Sequence, residues 1–534
     1  MQRGTVNCVS EWSYKSAKEH ADPFNELKLD VLIAGPRGQE WRVPAFWCGG
    51  GNWRARFAPP EPGRYTLRST CSDTSDSGLH GVEGELEAGI YQGDNALLQH
   101  GPLSVHDSRR YLVHADGTPF LWLGDTWWMG LCKRLKWPEG FETLLADRVR
   151  KGFSVIQIIA GLYPDMPWRD ERGANEFGYP WEQDFSRIVP EYWDLADQRI
   201  AALVDAGLVP CIVGCWGYFL PWMGVERLKQ HWRYLVARYG AYPVVWCLAG
   251  EATMPYYLSQ TREQDMALQK SGWTEIAAYV RALDPCRRPL TIHPTSVGRD
   301  QIEDDSLLDI NWLQTGHGGR DSVPNTVNLI NSEFAREPRM PVINSEVCYE
   351  GIMESSREEI QRFMFWACML SGACGHTYGA NGIWQVNEPG RPYGPSPHGL
   401  SWGDRPWTEA YQLPGSGQLG LGKQFLAGLP WWRLQPCPEL VEPHWTPERH
   451  WHPFAAWVPG ELWVIYVPTN WFLAPGETPI VKQLDPTESY RAFYLNPSDG
   501  SRRDLGSFTP DPDGNWLAPM PNILRDWVLV VERG

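Results

Sequence analysis

Residues 243–252 read PVVWCLAGEA, an apolar strand-like run that leads directly into a carboxylate, Glu251. The same pattern recurs at 120–126 (FLWLGDT), 153–161 (FSVIQIIAG), 208–217 (LVPCIVGCWG), 289–296 (PLTIHPTS), 308–317 (LDINWLQTGH), 341–351 (PVINSEVCYEG) and 373–381 (ACGHTYGAN). Between these runs lie amphipathic stretches at 139–151, 188–207, 222–240, 263–284, 321–337 and 354–371. In the last of them Ile360, Phe363, Met364 and Ala367 follow helical spacing. The connection after the fifth run carries little helical pattern. Eight strands alternating with helices over about 310 residues predict a (β/α)8 TIM barrel, an α/β fold. An open doubly wound sheet would place a glycine-rich phosphate turn after the first strand, and none is present.

The flanks read differently. Residues 1–93 carry short alternating runs, such as Leu27–Ile33 and Gly63–Ser69, punctuated by GGGN (49–52) and APPEPG (58–63). This predicts an N-terminal β-sandwich. From residue 430 to 534 short strands return at 461–468, 489–497 and 526–534, with turn chemistry in PDPDGN (510–515), predicting a second β-sandwich. The barrel then spans 94–429.

Composition narrows the function. The 534 residues carry 48 Lys plus Arg against 64 Asp plus Glu, a net charge of −16. That balance argues against nucleic acid or an anionic membrane surface as partner, and no apolar run is long enough for a spanning helix. Thirty tryptophans are an excess that tilts toward carbohydrate, since indole faces stack on sugar rings. The twelve cysteines show no CxxC pair, and the first residues show no apolar signal core. A cytoplasmic protein with free thiols is the expectation. The sequence sets no oligomeric state.

In a TIM barrel catalytic side chains project from the C-terminal ends of the strands. Those ends supply Asp125, Asp165, Glu251, His293, His317, Glu346 and His376, with Trp127, Tyr163, Trp216, Gln314, Tyr378 and Trp384 beside them. Glu251 ends the fourth run and Glu346 lies in the seventh, on opposite sides of the ring. Glycosidic cleavage needs such a pair, one acid to protonate the leaving oxygen and one carboxylate to attack or to activate water. Two nearby carboxylates also push their proton affinities apart. His293, His317 and His376 lack HxH or HExxH spacing, so no metal is expected. No GxSxG elbow supports a serine triad.

The motifs LGDTWW (123–128), WCLAGE (246–251), QTGH (314–317), INSEVCYEG (343–351) and GHTYGANGIWQ (375–385) resemble those of the apiosidase-like glycoside hydrolases of the clan A barrel type. EWSYKS (11–16), DPFNELKLDV (22–31) and FWCGGGNWRARFAPPEPGRYTL (46–67) resemble the N-terminal sandwich that often precedes those barrels. PWWRLQP (430–436) and the strands after it resemble their C-terminal, collagen-binding-like sandwich. The resemblance implies a retaining mechanism with Glu251 as acid/base and Glu346 as nucleophile. Two positions depart from the pattern: Gly250 stands where clan A enzymes usually carry Asn, and Glu251 stands where some apiosidase-like relatives carry Asp.

The expected protein is therefore a retaining, exo-acting glycoside hydrolase that removes a terminal pentose or hexose, apiose-like or other, from a plant-type glycan. No cofactor is expected. Asp125, Trp127, Tyr163, Asp165, Trp216, His293, Gln314, His317, His376, Tyr378 and Trp384 are the expected sugar-binding residues. The rival from another class is an inactive carbohydrate-binding scaffold on the same barrel. Long loops at 162–181, 217–223 and 385–407, rich in bulky residues, Pro and Gly, predict walls around a pocket.

Overall fold

A computed structural model describes residues 1–469, 478–519 and 524–534. All eight apolar runs form strands, and we number them β1 (Trp122–Thr126), β2 (Val155–Ile159), β3 (Val209–Val213), β4 (Val245–Cys247), β5 (Leu290–Thr291), β6 (Asn311–Gln314), β7 (Val342–Glu346) and β8 (Gly375–Tyr378). Their hydrogen-bonded order is β5-β4-β3-β2-β1-β8-β7-β6, and every ladder is parallel. The ring closes between β5 and β6 through single contacts rather than a ladder. Asp309 N donates to Leu290 O at 2.8 Å, and Thr291 Oγ1 donates to Ile310 O at 2.8 Å. The (β/α)8 barrel expected from the sequence is present.

Six long helices pack outside the ring: α1 (Glu139–Arg150), α2 (Pro190–Asp205), α3 (Val225–Tyr239), α4 (Arg262–Leu283), α5 (Val323–Ala335) and α6 (Glu358–Leu370), and α7 (Pro414–Ala427) follows the loop after β8. Only short 3-10 turns, Gly298–Asp300 and Asp305–Leu307, join β5 to β6. The stretch at 217–223 includes a short helix, Phe219–Met223. The barrel centre is filled by large side chains. Trp122 and Trp312 meet edge to face at 5.9 Å, and Trp122 Nε1 donates to Thr377 Oγ1 at 3.1 Å.

β sheets flank the barrel on both sides in the chain. Among the described residues a five-stranded and two three-stranded sheets stand before it, one of the latter being the small sheet at 103–120 that leads into β1, and a six-stranded and a three-stranded sheet stand after it. Buried charges tie them down. Arg56, on the N-terminal strand Asn52–Phe57, donates to Asp197 on α2 at 2.6 Å and to Arg238 O at the end of α3 at 2.9 Å. On the other side Arg362 of α6 grips both oxygens of Asp526 at 2.8 Å, and Tyr466 donates to the same carboxylate at 3.0 Å. Bidentate pairs of this kind fix orientation as well as contributing energy.

The layer between strands and helices holds a fully buried ion pair. Asp125 of β1 accepts from Arg148 Nε of α1 at 2.6 Å and from Trp127 Nε1 at 2.8 Å. Breaking a buried pair strands one charge in the interior, at a cost of about 3–5 kcal/mol. Arg148→Met should therefore lower barrel stability by about that amount in calorimetric or denaturant unfolding, with the KM of the protein that remains folded unchanged. A stability shift below about 0.5 kcal/mol combined with a raised KM would place this pair in substrate binding instead.

Candidate active site

Glu251 sits just beyond β4, and its backbone is held in the left-handed region at φ 41°. A non-glycine residue there carries strain of about 1–3 kcal/mol and persists only where its surroundings impose it. Here they do. Gly250 N donates to Cys215 O at 2.9 Å, Gly217 N to Gly250 O at 2.7 Å, and Ala252 N to His293 O at 3.0 Å, so the end of β4 is pinned from β3 and β5. Gly250 is required by the Trp216 indole: a Cβ at this position would stand 2.1 Å from the ring. The Asn usual in clan A enzymes has no room, and Trp216 takes the space.

Glu346 closes β7 where the register with β6 shifts, Leu313 opposing Asn344 and Gln314 opposing Glu346. Ser345 is the extra residue, and its Oγ donates to Leu313 O at 3.0 Å. A bulge re-aims the side chain that follows it, and this one turns Glu346 toward Gln314 and the mouth. His293 Nε2, after β5, lies 2.9 Å from Glu346 Oε2, and His317 Nε2, after β6, lies 2.9 Å from Oε1. Gln314 Nε2 spans the two carboxylates, 3.1 Å from Glu251 Oε1 and 3.4 Å from Glu346 Oε1.

Environment separates the two acids. Burial, and then the charge of Glu346, pushes the Glu251 carboxyl up to about 7. Burial acts on Glu346 as well, but its two imidazole neighbours outweigh it and hold the carboxyl down at about 2. The imidazole of His317 is raised in turn by Glu346, against the effect of burial. Near neutral pH one carboxylate is charged and the other retains a proton for much of the time, the division of labour that acid–base chemistry needs.

Aromatic rings line the pair. Tyr349 stacks on His317 at 4.9 Å and on Trp384 at 5.9 Å, and its hydroxyl accepts from Trp128 Nε1 at 2.8 Å. Trp216 lies 6.0 Å from the His293 ring. Trp216 Nε1, Trp384 Nε1 and Gln314 Oε1 are buried polar atoms with no hydrogen-bond partner among the described residues. Such atoms cost about 1–3 kcal/mol each when unpaired, and hydroxyl groups of a ligand would satisfy them. Asp165, also at positive φ, stands farther along the wall, where Tyr257 donates to it at 2.6 Å and Ser396 at 2.8 Å. Burial raises its carboxyl above the ordinary range.

The structure thus gathers Glu251, Glu346, Trp216, His293, Gln314, His317 and Trp384, with Asp165 on the wall. Five expected sugar contacts lie elsewhere. Asp125 and Trp127 point outward into the helix layer, where Trp127 packs on Phe141 at 5.5 Å. Tyr163 pairs its hydroxyl with that of Tyr192 on α2 at 3.0 Å. Tyr378 donates outward to Glu350 at 2.5 Å, and His376 is wholly buried against Phe365 of α6 at 5.7 Å, where burial lowers its imidazole to about 3. These residues sit on strand faces or loop turns directed away from the mouth. Trp128 and Tyr349 are the site residues that the sequence reading missed, although both lie inside quoted motifs.

The family described as apiosidase-like, catalytic domain, matches residues 106–433, and a domain of unknown function, DUF5060, matches residues 8–72. Among solved structures, a glycoside hydrolase is similar at 24% identity over 81% of this chain and 97% of its own, with a TM-score of 0.67. A family 5 glycoside hydrolase from Bacteroides vulgatus ATCC 8482 is similar at 22% identity over 81% of this chain and 94% of its own, with a TM-score of 0.66. A second Bacteroides vulgatus ATCC 8482 protein covers the whole of both chains at 16% identity and a TM-score of 0.71. At these identities the likeness is one of fold. No curated protein matches the chain.

Because the Glu346 charge helps to raise Glu251, Glu346→Gln should lower the Glu251 pKa below about 7. Carboxyl-resolved NMR or infrared titration reads this directly. An unchanged or higher value would mean that the two acids are not electrostatically coupled.

Proposed function

Since the chain belongs to the apiosidase-like catalytic domain family and is a glycosidase acting on carbohydrate, we propose that it is a retaining, exo-acting enzyme with Glu251 as acid/base and Glu346 as nucleophile. The observation that carries this reading is the pair itself, two carboxylates bridged by one amide and held at opposite proton affinities. A single side-chain amide within reach of both fits the roughly 5–5.5 Å spacing of a retaining pair better than the roughly 6.5–9.5 Å of an inverting one.

In the first step an oxygen of Glu346 attacks the anomeric carbon while Glu251 gives its proton to the departing glycosidic oxygen. In the second step Glu251, now a carboxylate, takes a proton from water, and that water's oxygen displaces Glu346 from the anomeric carbon. His293 and His317 hold the nucleophile ionised and oriented. Trp216, Trp384 and Gln314 face the sugar hydroxyls with their unpartnered polar atoms. The substrate is a terminal pentose or hexose on a plant-type glycan or glycoside.

Support for exo action comes from the loops. The segment after β8 is clamped to the loop after β2: Tyr393 donates to Pro164 O at 2.9 Å, Arg172 donates to Tyr393 O at 3.1 Å, and Ser396 reaches Asp165. Walls held in this way bound the mouth on one side.

With Glu251 at about 7 and Glu346 at about 2, kcat/KM should stay level through mildly acidic pH and fall above about 7, tenfold per pH unit, as the proton donor ionises. A rate that rises through pH 7 contradicts the assignment. Glu346→Ala should lose nearly all turnover on every substrate. Glu251→Ala should keep the first step on a dinitrophenyl glycoside, accumulate the glycosyl-enzyme, and turn over faster with azide. A folded Glu251→Ala variant that shows neither leaving-group dependence nor azide rescue would overturn its role. Early products from a labelled oligosaccharide should be monosaccharide alone; internal fragments would refute exo action.

A further inference from the structure

The end of the barrel remote from Glu251 and Glu346 holds a second concave site, with a cavity volume of about 710 Å³. It opens where the chain enters the strands. Arg339 precedes β7, Ala373 and Cys374 precede β8, and His106 to Tyr111 belong to the hairpin that runs into β1. The C-terminal sheets supply the far wall through Gln435, Pro436, Val458 and Pro459. Nothing in the proposed mechanism uses it.

Its lining is basic. In a chain with a net charge of −16, three guanidinium groups, Arg110, Arg339 and Arg433, converge on one cavity. Two have acid partners: Arg433 grips Glu461 at 2.6 and 2.9 Å, and Arg339 Nε meets Glu337 at 3.1 Å. Arg110 has none within ion-pair distance among the described residues. It donates to Phe334 O at 2.5 Å and lies over the Phe334 ring at 3.9 Å, which fixes the guanidinium without neutralising it. Burial and the neighbouring charge of Arg339 work against its protonated form, and the charge of Glu337, which pairs with Arg339, works weakly for it.

Aromatic surface stands beside that charge. His106 covers one face of Tyr111 at 4.4 Å, and Trp431 meets Tyr111 edge-on at 5.9 Å. Trp432, in edge contact with Trp431, leaves 40% of its surface to solvent. A fixed guanidinium lacking an acid suits a carboxylate, which it pairs in a bidentate fork. An exposed indole suits the apolar face of a sugar ring.

We propose that this cavity is a second carbohydrate site, which takes an acidic oligosaccharide by pairing a uronate carboxylate with Arg110 and stacking a sugar ring on Trp432. The site lies across the barrel from the mouth, so it holds an acidic glycan without occupying the catalytic pair. It is independent of the roles assigned to Glu251 and Glu346.

Calorimetric titration of the full chain carrying Glu346→Ala, chosen to suppress turnover and checked for its absence under the titration conditions, tests the proposal with tetragalacturonate and with neutral cellotetraose. Tetragalacturonate should bind, cellotetraose should bind far more weakly, and raised salt should weaken the acidic ligand. Arg110→Gln and Trp432→Ala, each added to that background, should each lower the tetragalacturonate affinity about tenfold or more. In the otherwise unaltered chain both substitutions should leave aryl glycoside hydrolysis unchanged. Trp432 is exposed, so Trp432→Ala decides the matter even if Arg110→Gln does not fold. Absence of tetragalacturonate binding, equal binding of cellotetraose, or an affinity indifferent to both substitutions would overturn the proposal; the last result would place the ligand at the mouth.

Discussion

Two carboxylates share one buried space at the top of the barrel, and the low dielectric there does not permit both to ionise cheaply. His293 and His317 decide which one does. By contacting both oxygens of Glu346 they hold its charge, and that charge, added to burial, raises the proton affinity of Glu251. The rest of the site follows from delivering these four groups and Gln314 to one point. β4, β5, β6 and β7 each contribute, so the irregular closure between β5 and β6 is part of the site rather than a flaw beside it. The bulge at Ser345 and the left-handed backbone at Glu251 aim the two acids at each other.

The scaffold behind the site is polar where a simpler barrel would be greasy. Asp125 with Arg148 ties β1 to α1. Glu350, pushed up to about 7 by burial, accepts from Tyr378 at 2.5 Å and from Gly415 N at 3.0 Å, fastening the start of α7 behind β8. Arg56 and Arg362 anchor the flanking sheets on the helix ring. Apart from Arg148 Nη2, which has no hydrogen-bond partner among the described residues, these buried groups are paired within the protein, and they specify orientation in a way that apolar packing alone does not.

Much of this was legible in the residues. Apolar runs alternating with helical spacing are the direct imprint of a parallel barrel, since each strand is covered by helices on one side and by the barrel interior on the other. Glu251 and Glu346 stood out because strands lead straight into them. Apart from Tyr163, which lies in the loop after β2 and pairs there with Tyr192, the misreadings share one physical cause. Strand-end position does not say which face a side chain takes, and a residue one step along points the other way. Asp125, His376 and Tyr378 therefore turned out to serve the helix layer. The chain leaves β1 at Thr126, which sends Trp128 rather than Trp127 into the site. Tyr349 lies three residues beyond Glu346, outside any strand periodicity, and Tyr257 and Ser396 reach Asp165 from loops whose paths no pattern encodes.

The central claim is that Glu346 forms a covalent bond to the sugar while Glu251 moves the proton. Incubation with 2-deoxy-2-fluoro pentosyl and hexosyl donors carrying activated leaving groups, followed by peptide mass spectrometry, tests it most directly. A fluoroglycosyl adduct on the peptide containing Glu346, and on no other, is the predicted result. An adduct on Glu251, or turnover of an ordinary substrate with inversion at the anomeric carbon and no adduct, would contradict it.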